Sequence, residues 1–166
     1  MPVCVGQIPI YYNHTNTGRP ALGRWPFESK YRDCQIEPLY PFGYGMSYTT
    51  FSYEDITVSD NKMTKDGKLS VTVTVRNTGK YDGADVVQLY MRDLVGGCVR
   101  PVKELKGFEK VYLKAEESKT VTLSLSASDT AFHNFNMKKT VESGKFKLWS
   151  GQSSSDEKFE FDFEII

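Results

Sequence analysis

The sequence predicts an all-β fold: a sandwich of two antiparallel sheets with about seven strands, preceded by an irregular N-terminal arm. Residues 51–166 contain repeated runs in which apolar and polar residues alternate, the period of a strand with one buried face. Turn-forming Gly, Asn and Asp residues separate these runs at short intervals. No convincing long segment shows the 3.6-residue period of an amphipathic helix.

The N-terminal arm, residues 1–37, has no repeating pattern and too few apolar residues for a core of its own. Only Val5–Tyr12 predicts a strand, which Pro9 restricts to an edge or a bend. The arm therefore needs a partner: it would be disordered, fold back on the sandwich through the aromatic residues 40–48, or pair with a second molecule. We favour self-association, because an unpaired apolar strand recruits another edge.

The connector, residues 38–50, is aromatic and interrupted by Pro and Gly. A free linker would be rich in Gly and Ser or charged, and would not carry Tyr40, Phe42, Tyr44 and Tyr48. The composition predicts a segment held between two packed bodies.

The sandwich domain, residues 51–166, is assigned seven strands. In the clearest of them Phe159, Phe161 and Phe163 alternate with acidic residues, which predicts a half-buried strand with its carboxylates in solvent. The strands are expected near Phe51–Ser59, Leu69–Arg76, Ala84–Arg92, Val102–Leu113, Thr120–Leu125, Phe146–Trp149 and Phe159–Ile165. Such short strands between turn signals are typical of a β-sandwich.

Bulk composition excludes several function classes. The chain has 166 residues, 39% of them hydrophobic and 25% charged, which fits one domain with an appendage. A net charge of zero argues against nucleic acid as a partner, and no apolar run is long enough for membrane insertion. The start shows no signal peptide, and the compartment stays open.

No metal or cofactor site is expected. The cysteines Cys4, Cys34 and Cys98 are widely spaced, and the sequence has neither a Cys-x-x-Cys pair nor a Gly-rich phosphate loop. We expect buried structural thiols, since free cysteine packs as a small hydrophobe, and keep a Cys4–Cys34 disulfide as the alternative. His14 and His133 stand alone and are assigned no role.

Several motifs together resemble one enzyme family. In order along the chain they are Val5–His14, Thr17–Pro20, Pro38–Phe51, Asn77–Gly79, Val86–Tyr90 and Arg100–Phe108. The chain is similar over essentially its whole length to the C-terminal part of glycoside hydrolase family 3 β-glucosidases. The resemblance implies that residues 1–37 are the remnant of an α/β sandwich domain and that residues 51–166 form a fibronectin type III-like domain. The lack of an immunoglobulin-type Cys…Trp…Cys framework agrees with that variant.

The resemblance also implies where catalysis occurs. In the family the nucleophile lies on a barrel domain and the acid/base on the α/β domain, and no residue here matches either motif. We therefore expect no catalytic residues, no cofactor-binding residues and no metal ligands. The carboxylates that are present, at Glu116-Glu117, Asp156-Glu157 and Glu160, Asp162, Glu164, are expected in turns or on the outer face of a strand.

The expected function is accessory. We interpret the chain as an inactive C-terminal fragment that braces the catalytic domains of a retaining, periplasmic or secreted β-glucosidase needing no cofactor. Two alternatives stay open: a carbohydrate-binding module, in which exposed rings such as Trp25 and Trp149 would stack on sugars, and an adhesion or scaffold domain. A coplanar row of exposed rings would favour the first, and an apolar patch over the connector and residues 100–108 would favour bracing.

Overall fold

The computed structural model describes residues 1–21, 27–157 and 159–166. Two sheets pack face to face, one of three strands in the order β1-β3-β6 and one of five in the order β2-β10-β9-β4-β5. The described strands are β1 (Phe51–Val58), β2 (Lys62–Met63), β3 (Lys68–Asn77), β4 (Gly83–Asp93), β5 (Glu104–Leu113), β6 (Ser118–Ser126), β7 (Phe132–His133), β8 (Lys139–Thr140), β9 (Gly144–Gly151) and β10 (Phe159–Ile165).

The seven long strands coincide with the seven predicted ones, so the β-sandwich prediction is confirmed. The three two-residue strands carry too few residues for a periodic signal. One of them, β2, pairs with β10 in parallel through Lys62 and Met63, so the five-stranded sheet is mixed rather than purely antiparallel. The other two, β7 and β8, form a separate small hairpin. A short 3₁₀-helix, Ala127–Thr130, follows β6.

The core lies between the inner faces of the two sheets. Along β3 every second side chain is buried, and β6 shows the same alternation opposite it. The five-stranded sheet supplies Leu89, Leu148 and Phe163 among others. This burial removes apolar surface from water, which is the main force that holds the sheets together.

Strand β4 differs because it is buried on both faces. The whole run from Val87 to Met91 is inaccessible to solvent, although successive side chains point to opposite sides of the sheet. Val87, Leu89 and Met91 face the core, while Gln88 and Tyr90 face outward. The covering on the outer side comes from the N-terminal arm and the connector.

The prediction of a strand at Val5–Tyr12 is wrong. Residues Val5–Gln7 form a 3₁₀-turn, in which the amide of Gln7 donates to the carbonyl of Cys4 at 3.1 Å. The side chain of Gln7 is fully buried and bonds to backbone groups of the arm. These bonds satisfy backbone groups that a strand would pair with a neighbouring strand.

The arm folds back on the sandwich. The amide of Val102 donates to the carbonyl of His14 at 2.9 Å, and Thr15 forms an isolated β-bridge with Pro101. The N-terminal ammonium of Met1 donates to the carbonyl of Tyr40 at 2.6 Å, so the start of the arm also meets the connector. The three arrangements considered for the arm from sequence included this one.

Candidate functional site

The outer face of the five-stranded sheet carries a row of three side chains from adjacent strands. Tyr90 on β4 lies opposite Trp149 on β9, and Trp149 lies opposite Glu160 on β10. Trp149 thus faces away from Phe146 and Leu148, as its position in the strand predicts. The carbohydrate-binding alternative would need this ring exposed, but only 5% of Trp149 is accessible.

Lys103 places a buried cation over this row. Its Nζ donates to the carbonyl of Ser154 at 2.7 Å and pairs with Glu157 at 2.5 Å. The same atom lies 4.8 Å from the centroid of the Trp149 ring and 5.9 Å from that of Tyr90. The ring faces and the two oxygens together replace the water that a buried ammonium loses.

Gln88 and Tyr90 connect the sheet to the connector through hydrogen bonds. The Tyr90 hydroxyl donates to Oε1 of Gln88 at 2.5 Å, and Nε2 of Gln88 donates to the carbonyls of Gly43 at 3.1 Å and Gln152 at 2.6 Å. Burial, with a smaller effect from Tyr12, raises the pKa of Tyr90 above its usual range. The phenol therefore stays protonated and keeps its role as a donor.

Gly43 permits the close approach of the connector. It is the third residue of the turn Pro41–Tyr44. Its φ is +79°, a backbone angle that residues with a side chain rarely adopt. A Cβ atom there would lie 2.0 Å from Oε1 of Gln88, where no atom fits. The amide of Ser154 donates to the carbonyl of Phe42 at 2.9 Å and holds the turn on its other side.

Tyr12 brings the arm into the same cluster. Its ring stacks on Phe42 with centroids 4.3 Å apart and meets the edge of Tyr90 at 5.9 Å. Its hydroxyl oxygen accepts a hydrogen bond from the amide of Leu105 at 3.3 Å. Arm, connector and sheet therefore share one layer of aromatic and polar contacts, which we call the docking layer: Tyr12, Phe42, Gly43, Gln88, Tyr90, Lys103 and Trp149.

A cleft of about 1080 Å³ opens between the arm and the sheet beside the docking layer. Its walls carry both signs of charge. The basic residues are Arg92, Lys103 and Lys147, and the acidic residues are Glu37, Glu157 and Glu160. Lys147 pairs with Glu160, whose Oε2 also accepts a hydrogen bond from Nε1 of Trp149 at 3.2 Å. The hydrogen bond from Lys147, followed by that from Trp149, lowers the pKa of Glu160.

These contacts limit what the cleft can do chemically. A glycosidase needs one carboxyl group held protonated as the acid and a second one ionised. Glu157 and Glu160 are each paired with a lysine, and the pKa of Glu160 is lowered rather than raised. The walls thus resemble a surface for polar contacts more than a hydrolytic site.

The other residues considered from sequence are dispersed. Among the described residues no three His, Cys, Asp or Glu side chains are grouped to hold a metal ion. His14 and His133 are exposed, and so are Glu116, Glu117 and Asp162. Trp25 lies outside the described residues. No helix within the described ranges is long and apolar enough to cross a membrane.

The expectation of buried thiols is wrong. Cys4 is exposed, while Cys34 and Cys98 are half-buried, and all three thiols are free. Cys4 directly precedes the 3₁₀-turn Val5–Gln7, and Cys34 lies in an irregular segment of the arm.

The side of the connector that does not contact the sheet is apolar and exposed. Tyr40 and Tyr44 stack on each other with centroids 5.2 Å apart, and Tyr48 is 98% accessible. This surface, the connector patch, consists of Leu39, Tyr40, Tyr44, Met46 and Tyr48. Several large apolar side chains exposed on one short segment are typical of a contact with another protein body or domain.

Sequence reasoning missed Gln7, Gln88 and Lys103. A signal for Gln88 exists, because it interrupts the run Val86-Val87-Gln88-Leu89-Tyr90-Met91, and a nearly continuous apolar run is typical of a strand buried on both faces. A polar residue inside such a run needs a partner. Gln7 and Lys103 have no comparable local signal.

Comparisons with known proteins agree with this architecture. Residues 85–154 match the family model described as a fibronectin type III-like domain. A periplasmic β-glucosidase of Salmonella typhimurium is 47% identical, with 99% of this chain covering 22% of that protein. A β-xylosidase of Formosa agariphila is 39% identical over 92% of this chain and 20% of its own length.

Solved structures show the same relationship. The crystal structure of a β-glucosidase from Listeria innocua in complex with glucose superimposes with a TM-score of 0.92 at 40% identity, covering 99% of this chain and 23% of that one. The chain thus spans about a fifth of the length of the curated relatives it matches.

Proposed function

The chain carries a fibronectin type III-like domain and matches the C-terminal part of family 3 β-glucosidases, and from this we propose that it braces the catalytic domains of such an enzyme. The parent reaction would be hydrolysis of terminal non-reducing β-D-glucosyl residues with retention. A xyloside is the second candidate substrate, since one relative is a β-xylosidase. The carboxylate pair would lie outside this chain, which would itself supply no catalytic residue.

The connector patch is the observation that supports bracing most directly. Its exposed side chains lie on a segment whose opposite side is held against the sandwich by Gln88 and Ser154. A rigid apolar surface of this kind suits permanent contact with a second domain. A sugar-binding platform is less well supported, because Trp149 is covered and Tyr40 stacks on Tyr44.

The experiment for bracing uses a chimera. Replacing the matched region of the Salmonella β-glucosidase by this chain should give an active enzyme. The substitutions Met46→Ser and Tyr48→Ser should then lower the Tm of the chimera by several degrees and leave that of the isolated chain unchanged. Phe135→Ser, at an exposed hairpin tip, is the matched control. Equal Tm shifts in the chimera for patch and control variants would contradict bracing.

The absence of catalysis within the chain has its own test. The isolated 166-residue chain should not hydrolyse p-nitrophenyl β-glucoside above a mock purification. Turnover that a point substitution within the chain abolishes would overturn the accessory assignment.

We also propose the division into arm (1–37), connector (38–50) and sandwich (51–166). Limited proteolysis should remove the region before Pro38 first and leave a resistant core. Early cleavage within β3 or β10, with the arm intact, would contradict this division.

Self-association through the arm is a further proposal. Val5, Ile8 and Tyr11 are exposed on the arm and offer apolar contacts to a second copy. Sedimentation of the isolated chain at high concentration should show association that deletion of residues 1–37 removes. A strictly monomeric full chain, with the arm protected from hydrogen exchange, would rule it out.

A further inference from the structure

The first residues of the arm run beside the segment that leads into the connector. The amide of Tyr40 donates to the carbonyl of Met1 at 3.4 Å. Nε2 of Gln7 donates to the carbonyls of Gln35, Ile36 and Glu37 at 2.8, 3.2 and 3.0 Å. Hydrogen bonds therefore hold the two stretches together both before and after Cys4.

Cys4 and Cys34 lie on these two stretches. Cys4 lies between Met1 and Gln7, and Cys34 lies between Gln35 and Tyr31, whose hydroxyl donates to the carbonyl of Gln7 at 2.7 Å. Cys4 is exposed and Cys34 is half-buried. Burial raises the pKa of Cys34, and the hydrogen bond with Cys4 and the nearby charges of Cys4 and Asp33 raise it further. Cys98 lies apart in sequence, in the loop between β4 and β5.

We propose that Cys4 and Cys34 form a disulfide in an oxidising environment and that this bond fastens the start of the arm to its end, which leads into the connector. Hydrogen bonds of Gln7 with residues on both sides of Cys34 already hold the two stretches together in the folded chain, so no large rearrangement is needed to bring the sulfurs together. The bond is independent of the bracing role, because it is formed and detected in the isolated chain.

The chemistry requires a disulfide oxidant such as oxidised glutathione. One cysteine, as the thiolate, attacks a sulfur of glutathione disulfide, which forms a mixed disulfide and releases one reduced glutathione. The second thiolate then attacks the protein sulfur of that mixed disulfide and releases the second reduced glutathione. The protein loses two protons and two electrons, and glutathione disulfide gains them to become two reduced glutathiones.

The bond would close residues 4–34 into a covalent loop. A cross-link restricts the detached states of the arm, and the effect is larger when the loop is long. Oxidation should therefore keep the first residues of the arm attached after a cut inside the loop and slow their removal. Lys30 and Arg32 lie inside the loop and are both exposed, so trypsin can cut there without separating the pieces.

The test counts thiols in the full chain. After incubation with oxidised glutathione, denaturation and alkylation with iodoacetamide, the protein should carry one adduct, on Cys98, whereas the reduced protein carries three. Tryptic mapping should find the peptide of residues 1–24 linked to that of residues 33–62. The rate should rise as the pH approaches the thiol pKa values, because the thiolate is the reacting species.

Variants separate this pairing from nonspecific oxidation. The Cys98→Ser variant should still form the Cys4–Cys34 disulfide and should carry no iodoacetamide adduct after oxidation. The Cys4→Ser variant should not form this disulfide. Trypsin nicking of the oxidised protein should leave one band without reductant and two with it. Three alkylated thiols, glutathione adducts alone, or a bond that includes Cys98 would each overturn the proposal.

Discussion

The two faces of the five-stranded sheet bury side chains of different chemistry. The inner face packs Leu89, Leu148 and Phe163 against the aliphatic residues of β3 and β6. The outer face carries the docking layer, in which a buried cation, amide and phenol each have a named partner. The inner face is mainly apolar, although the hydroxyl of the core residue Tyr53 donates to Asp85 at 3.0 Å.

The difference shows what each interface specifies. Apolar burial is nondirectional and roughly proportional to area, so the inner face drives association of the sheets. Hydrogen bonds need defined distances and angles, and a buried group without a partner is costly. The hydrogen bond from Gln88 to Gly43 therefore determines where the connector lies, and the contacts of Tyr12 do the same for the arm, while the inner core supplies most of the stability.

The largest effect should come from the inner core. Leu125 is fully buried opposite Leu69, and Leu125→Ala should lower the free energy of unfolding by about 2–5 kcal/mol through lost burial and the cavity left behind. Urea denaturation measures this loss. Val95→Ala, at an exposed position, should change the stability by less than about 0.5 kcal/mol. Equal effects for the two variants would contradict the assignment of the core.

A smaller loss is expected when the cation of the docking layer is removed. Lys103→Met keeps the apolar stem but leaves the carbonyl of Ser154 without its donor, which should cost about 1–3 kcal/mol in urea denaturation. The lower part of that range is expected because Glu157 is half-exposed and water can solvate it. Lys65→Met, in an exposed turn, is the matched control. A variant as stable as the parent would show that polar partners are not needed on the outer face.

The attachment of the arm should be weaker still. Tyr12→Ala removes the stacking on Phe42 and the contact with Tyr90, each worth about 0.5–1.5 kcal/mol. Cleavage of the reduced chain by trypsin at Lys30 and Arg32 should become at least about five-fold faster, the factor that corresponds to 1 kcal/mol. Tyr11→Ala, at the exposed neighbouring position, should leave the rate unchanged. Identical cleavage rates for Tyr12→Ala and Tyr11→Ala would show that the contacts of Tyr12 do not hold the arm on the sandwich.

The smallest effect concerns the exposed ion pair at the edge of the docking layer. Hydrogen bonds from Lys147 and Trp149 lower the pKa of Glu160 in the folded chain. At pH values between this lowered pKa and the ordinary glutamate pKa of about 4.3, the unfolded chain binds more protons than the folded chain. The ion pair therefore stabilises the fold fully above the ordinary pKa, and this stabilisation is lost as the pH falls through the lowered pKa of the folded chain. An NMR titration of the Glu160 carboxyl should therefore show a low midpoint, and Lys147→Met should raise it.

The sandwich could be predicted because its signals are local. Strand β10 alternates Phe with Glu and Asp, and β3 alternates Val with Thr. The sequence of each strand alone therefore indicates which of its faces is buried. The small hairpin of β7 and β8 and the parallel strand β2 were missed because two residues show no period. The strand assigned to Val5–Tyr12 failed because Gln7 bonds to backbone groups of the arm, including carbonyls about thirty residues away, and the sequence gives no local sign of them.

The sequence by itself determined the seven strands, their buried sides and the outward direction of Trp149, because a period of two depends only on neighbouring residues. Only the tertiary structure decided that Trp149 is covered, that Lys103 lies over its ring and that Gly43 meets Gln88. These contacts join residues about forty-five positions apart in the chain. Their formation depends on the packing of separate segments, which no local pattern records.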